Sequence, residues 1–153
     1  MLDLESIELI HQLKARYFRF LDTLDYSGLQ SVFTADAVAH FVGGGYEFKL
    51  TGWAELEAFY RKNITPNRFG SHNGHHPEIC VDGDQATGIW YLSDTFYNLD
   101  HNEMTCGTSL YHDRYVRTAE GWRIAETGYE RVYETVSPIA SDLKMTVRPQ
   151  AKN

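Results

Sequence analysis

At 153 residues the chain is long enough for one domain around a single core and too short for two. A composition of 42% hydrophobic and 14% aromatic residues fits a globular protein with an aromatic-walled interior and excludes disorder. A formal charge of -7 with no basic run replaces attraction to phosphate backbones by repulsion, so nucleic acid and anionic membranes are excluded as partners.

In chain order, Ile10, Leu13, Tyr17, Phe20, Leu21 and Leu24 recur at helical spacing and predict one long helix from Glu5 to about Leu24. Asp22 falls off that stripe beside Phe18, its i-4 neighbour. Either the helix is covered on a second side there or both residues are exposed. A short helical segment follows, with Leu29, Val32 and Phe33 on one face, and then AVAHFV alternates as a strand from Ala37 to Val42. Gly43 to Gly45 make the turn, and the returning strand places Tyr46, Phe48 and Leu50 on one face. Thr51 opens a third helix with the stripe Trp53, Leu56, Phe59 and Tyr60, closed by Pro66 and Asn67.

The second half reads as strands: His72 to His76, then EICV and ATGIWYLSDTF on either side of Asp82, Gly83 and Asp84, which mark a tight hairpin. His72 and Asp94 stand at similar distances from that turn, so pairing brings an imidazole and a carboxylate to one end of a sheet. CGTSLYHDRYV and WRIAETGYERVYETV, joined by TAEG, complete it. Helices first and strands after indicate an α+β fold with an antiparallel sheet. In the last strand Trp122, Ile124 and Val132 alternate with Ala125, Tyr129 and Tyr133, so one face can line a pocket and the other a subunit interface. The polar tail from Pro138 to Asn153 reads as extended, a candidate flap.

Cys80 and Cys106 have no metal or redox spacing and read as free, buried thiols of a reducing compartment. The N-terminal stretch lacks the apolar core of a signal peptide, and no run approaches the ~20 apolar residues of a membrane span, so a cytoplasmic protein is expected. His72, His75 and His76 suggest a metal, but consecutive strand residues point to opposite faces and would not converge without a bend. No metal and no cofactor are expected.

Four segments carry a resemblance: RYFRFLD (Arg16 to Asp22), HNGHHPEI (His72 to Ile79), ATGIWYLSD (Ala86 to Asp94) and GWRIAETGYERVYE (Gly121 to Glu134). In their order and spacing they resemble the SnoaL-like branch of the nuclear transport factor 2-like superfamily, and within it the bile acid 7-alpha-dehydratases. The resemblance implies a cone-shaped α+β barrel: a curved, mostly antiparallel sheet wrapped around a pocket and closed by about three helices. It also implies a homotrimer and a functional set of Tyr17, Asp22, His72, Asp94 and Arg131.

The residues suggest roles of their own. His72 titrates nearest neutral pH and can take up and return a proton. Asp22, if it reaches His72, would fix its tautomer and stabilise the imidazolium. Asp94 closes the apolar row of Trp90 and Leu92; it is either exposed at a strand end or desolvated and able to donate a proton. Tyr17 either packs in the core or donates a hydrogen bond to a substrate oxygen. Arg131 needs an anionic partner, with Asp94 and Glu130 as candidates, or stabilises developing negative charge. Trp90, Tyr46, Phe48 and Tyr129 are the expected substrate-binding aromatics. The expected activity is cofactor-independent dehydration of an apolar, steroid-like alcohol. The alternatives are another elimination or isomerisation of the superfamily, or a non-catalytic binding domain.

Overall fold

The first helix, α1 (Leu4–Asp22), starts where the Asp3 side chain accepts from Ser6 N at 3.0 Å. The short α2 (Tyr26–Ser31) is capped in the same way, with Asp25 accepting from Gly28 N at 2.8 Å. Strand β1 (Phe33–Val42) turns at Gly43 into β2 (Glu47–Thr51), and α3 (Gly52–Asn63) leads to four long strands. These are β3 (Arg68–Asp82), β4 (Gln85–Asn98), β5 (Glu103–Thr118) and β6 (Gly121–Pro138) in a computed structural model that describes residues 2–147.

The six strands form one sheet in the order β2-β1-β6-β5-β4-β3, with β1 parallel to β6 and every other pair antiparallel. The three helices close it. Gly83 supplies the positive φ of 59° that the two-residue turn between Asp82 and Gln85 needs. Opposite His72 on β3 stands Asp94 on β4, in direct register.

Several boundaries differ from the sequence reading. β1 starts at Phe33, four residues before Ala37, because Phe33 pairs with Ile124 of β6. His72 and the EICV segment belong to one strand, β3, interrupted by a bulge between His75 and Glu78. On α1, Phe20 is only half-buried while Phe18 is buried, since β3 covers the helix on a second side. Register shifts at Ala125 and Val132 change the parity of β6. Trp122 and Ile124 thus share the inner side with Thr127 and Tyr129, whereas Val132 and Tyr133 are exposed. Cys80 is exposed and Cys106 half-buried, both free. Residues 139–147 of the tail form no strand, and the rest lies outside the described residues.

The core includes a charge pair. Lys14 stands in the apolar stripe of α1, and its Nζ lies 2.6 Å from Asp113 Oδ2 of β5, with both side chains fully buried. Asp113 also accepts from Tyr115 Oη and Thr127 Oγ1, each at 2.7 Å. The ammonium faces the ring of Tyr111 at 3.7 Å. Burial pulls Lys14 below its ordinary pKa, and the Asp113 carboxylate opposes that shift. Removing one partner strands a buried charge, so Lys14→Met is expected to lose about 3–5 kcal/mol in urea unfolding. The double variant Lys14→Met/Asp113→Leu is expected to recover part of that loss.

Candidate active site

Between the sheet and the helices lies a cavity of about 340 Å³, within the range of small-molecule sites. His72 is on its wall. Asp22, the last residue of α1, grips His72 twice: Oδ1 accepts from ring Nδ1 at 2.6 Å and Oδ2 from the backbone N–H at 3.1 Å. A carboxylate only accepts, so the Nδ1 proton is fixed and Nε2 becomes the basic nitrogen. Phe18 lies parallel to the imidazole at a centroid distance of 6.0 Å. Gly74 makes room for that ring, because a Cβ there would stand 2.3 Å from Phe18 Cε2.

Asp94 is neither exposed nor free to donate. Both of its oxygens accept from Arg131, at 2.5 Å from Nη1 and 2.8 Å from Nη2. This bidentate fork makes Asp94 an anchor and replaces the proton-donor role open to it in the sequence. Arg131 has its second charge contact with Glu134, at 3.2 Å from Nε, and not with the exposed Glu130. Burial alone would lower the Arg131 pKa, but the Asp94 hydrogen bonds and charge raise it above the ordinary guanidinium value.

Five phenols line the cavity. Tyr17 Oη lies 3.2 Å from Tyr60 Oη and 3.4 Å from Tyr111 Oη, and Tyr46 Oη lies 2.8 Å from Tyr129 Oη. Three hydroxyls carry three protons, and two contacts use two of them. One donor therefore remains in that trio for a bound oxygen, and by the same count one remains in the pair. Burial raises Tyr17, Tyr60 and Tyr111 well above the ordinary phenol pKa, so they are neutral donors.

Phe48 also lines the cavity but is 38% exposed, at its rim. Trp90 does not line it: this side chain is buried against His11, and its Nε1 donates to Tyr115 Oη at 2.9 Å. Tyr60 was read in the sequence only as part of the third helix's apolar stripe, and Tyr111, Lys14, Asp113 and Arg68 were not singled out. The one available signal was a charged residue inside each of two apolar rows: Lys14 on α1, and Asp113 between Tyr111 and Tyr115 on β5. His75 and His76 do converge, with Nδ1 atoms 2.6 Å apart, because His76 takes a φ of 47° beside the bulge. Among the described residues, no group of three or more His, Cys, Asp or Glu is placed to hold a metal ion. No helix among them is long and apolar enough to cross a membrane.

The fold and cavity define a cone-shaped α+β protein of the nuclear transport factor 2-like type. The chain belongs to the SnoaL-like domain family, whose model matches residues 2–128. Similar solved structures include a candidate aromatic ring hydroxylase from Novosphingobium aromaticivorans, 23% identical over 90% of this chain and 96% of that one, with a TM-score of 0.80. A hexachlorocyclohexane dehydrochlorinase from Novosphingobium barchaimii is 17% identical over 95% and 97%, with a TM-score of 0.76. A candidate scytalone dehydratase from Novosphingobium aromaticivorans is 16% identical over 99% and 96%, with a TM-score of 0.78. At these identities the likeness establishes the shared fold.

Two outcomes follow from the geometry. In an alkaline absorbance titration, Tyr17, Tyr60, Tyr111 and Tyr115 are expected to stay protonated while the folded state lasts. Their folded-state pKa values are raised, so the stability they contribute is complete below the unfolded phenol value of about 10 and declines as pH rises above it. Gly74→Ala is expected to displace Phe18 from the imidazole, seen as shifted His72 ring resonances with little loss of helical circular dichroism.

Proposed function

We propose that this protein is a cofactor-independent lyase that eliminates water from an apolar alcohol, with the 7-hydroxyl of a 3-oxo-4-ene steroid of bile-acid type as the substrate. The observation that carries this reading is the Asp22–His72 dyad, bonded at 2.6 Å on the wall of a cavity lined by phenol donors. Proton abstraction next to an enone needs a base near neutrality and donors for the oxygen that gathers charge. His72 takes the C6 proton, and Asp22 stabilises the imidazolium. The electron pair spreads into a dienolate whose oxygen accepts from the hydroxyls around Tyr17. Collapse of the dienolate expels the 7-hydroxyl, which leaves as water with a proton from the imidazolium or a phenol. Arg131, anchored by Asp94, favours the anionic intermediate, and Tyr46, Tyr129 and Phe48 hold the apolar body.

Exposed apolar side chains at Val38, Tyr91 and Val132 support a homo-oligomer, for which we propose a trimer working in the cytoplasm. Sedimentation equilibrium is expected to return three times the chain mass of 17.6 kDa.

The reading is tested by following the long-wavelength absorbance of the 4,6-diene during incubation with the 7-hydroxylated enone. His72→Ala is expected to lose ~10²- to 10⁴-fold in turnover, and Tyr17→Phe on the order of 10²-fold. Retention of most turnover by His72→Ala removes the mechanism. Turnover of a halogenated substrate in preference to the alcohol would shift the assignment to another elimination, since proton abstraction is common to both.

A further inference from the structure

Two guanidinium groups line the cavity, and they are treated differently. Arg131 is neutralised by Asp94 and Glu134. Arg68 pairs with no carboxylate among the described residues, and its Nε is buried without a hydrogen-bond partner. Its direct cross-strand neighbour, Asn98 of β4, is neutral and supplies no compensating charge. Buried polar atoms are satisfied in native proteins with few exceptions, so a guanidinium N–H left unpartnered on the cavity wall points to an acceptor that arrives with a ligand.

Position gives this group a place in the substrate. Arg68 and His72 share one face of β3, with no register shift between them, and Gly70 between them carries no side chain. Four residues at roughly 3.3 Å each separate them by ~13 Å. Phe96, which also lines the cavity, stands opposite Gly70, so the intervening wall is apolar.

We propose that Arg68 binds a carboxylate at the end of the substrate remote from the reacting carbon. The cavity then takes an elongated apolar acid whose anion stands ~13 Å from the proton that His72 removes. The reacting end rests on the dehydratase reading; the anionic end rests on Arg68. A guanidinium presents two parallel donors that match a carboxylate.

The test uses inert ligands, so that it does not depend on turnover: a 3-oxo-4-ene steroid acid lacking the 7-hydroxyl, its methyl ester and its coenzyme A thioester, each titrated calorimetrically. The acid is expected to bind about 10- to 100-fold more tightly than the ester, the yield of a charge-assisted hydrogen bond. Arg68→Met is expected to bring the acid down to the ester and leave the ester unchanged, with the thioester behaving as the ester. Equal affinities for acid and ester, no binding of the acid, or parallel weakening of both in Arg68→Met would overturn the proposal. So would an Arg68-dependent thioester that binds as tightly as the acid, since the recognised anion would then be a phosphate. Turnover of the 7-hydroxylated methyl ester by the unmodified protein, measured alongside, decides the dehydratase reading separately.

Discussion

The arrangement of the cavity depends on one buried contact, the ion pair of Lys14 and Asp113. It joins α1 to β5 at a point where neither partner can reach water. A dry pair of this kind is stable only in good geometry, with its remaining lone pairs and protons met. Tyr115 and Thr127 meet the carboxylate's lone pairs, while the ammonium, beyond its contact with Asp113, faces only the rings of Tyr111, Tyr17 and Phe18. Sliding the helix by one residue would strand both charges, so the pair sets register as well as contact. Eight residues further along α1, or roughly 12 Å at 1.5 Å per residue, Asp22 meets His72. The charge pair and the dyad thus hold the same helix at two points, and the second inherits its precision from the first.

Sheet irregularity decides the rest. A strand with a strict period of two can present only alternate residues to a cavity. β6 escapes that limit through its shift at Ala125, which carries Trp122 and Ile124 into the core and still turns Tyr129 and Arg131 inward, and through its shift at Val132, which brings Glu134 to the same cavity. The bulge after His75 does the same for β3, leaving His72 in register with Asp94 while the chain bends beyond it. Bulges are common next to functional sites because they re-aim side chains without ending the sheet.

This explains what could be read in the chain and what could not. The helices, the α+β class and the hairpin at Gly83 follow from local patterns, and the structure has them. That His72 and Asp94 come to the same end of the sheet was legible from the hairpin turn, but their direct register was not. Counting from Asp82 and Gln85 sets Thr95 opposite His72, and the bulge between His75 and Glu78 moves the pairing by one residue to Asp94. Face assignments along β6 were not legible either, since an inserted residue shifts parity without leaving a local mark. Tyr60 and Tyr111 looked like ordinary core aromatics: what makes them cavity donors is the approach of α3 and β5 to Tyr17, contacts of 43 and 94 residues in sequence separation. Trp90 was misplaced for the same reason. Its apolar row continues to Asp94, but its own indole is drawn away to the hydroxyl of Tyr115. Arg68 carries no motif, and its significance lies in a carboxylate that fails to appear beside it.

The distribution of charge bears on how such a cavity could work. Its carboxylates are committed: Asp22 to His72, and Asp94 with Glu134 to Arg131. Besides its two guanidinium groups, the cavity offers phenol dipoles to meet a developing negative charge, held neutral by the burial that raises their pKa. Fixed dipoles in a site shielded from water need little reorganisation when charge appears, which is where electrostatic stabilisation is most effective. A free carboxylate at the same place would repel any negative charge that formed there. Pairing Asp94 with Arg131 removes that repulsion and leaves a polarising guanidinium at the wall. The helix end adds to the asymmetry. Asp22 stands at the negative end of α1, where a carboxylate is locally unfavoured. The two hydrogen bonds from His72 offset part of that cost, and in the proposed reaction an imidazolium formed beside Asp22 would offset more. A local rule broken at one position, in a helix otherwise capped and patterned as expected, is consistent with a residue kept there for its chemistry.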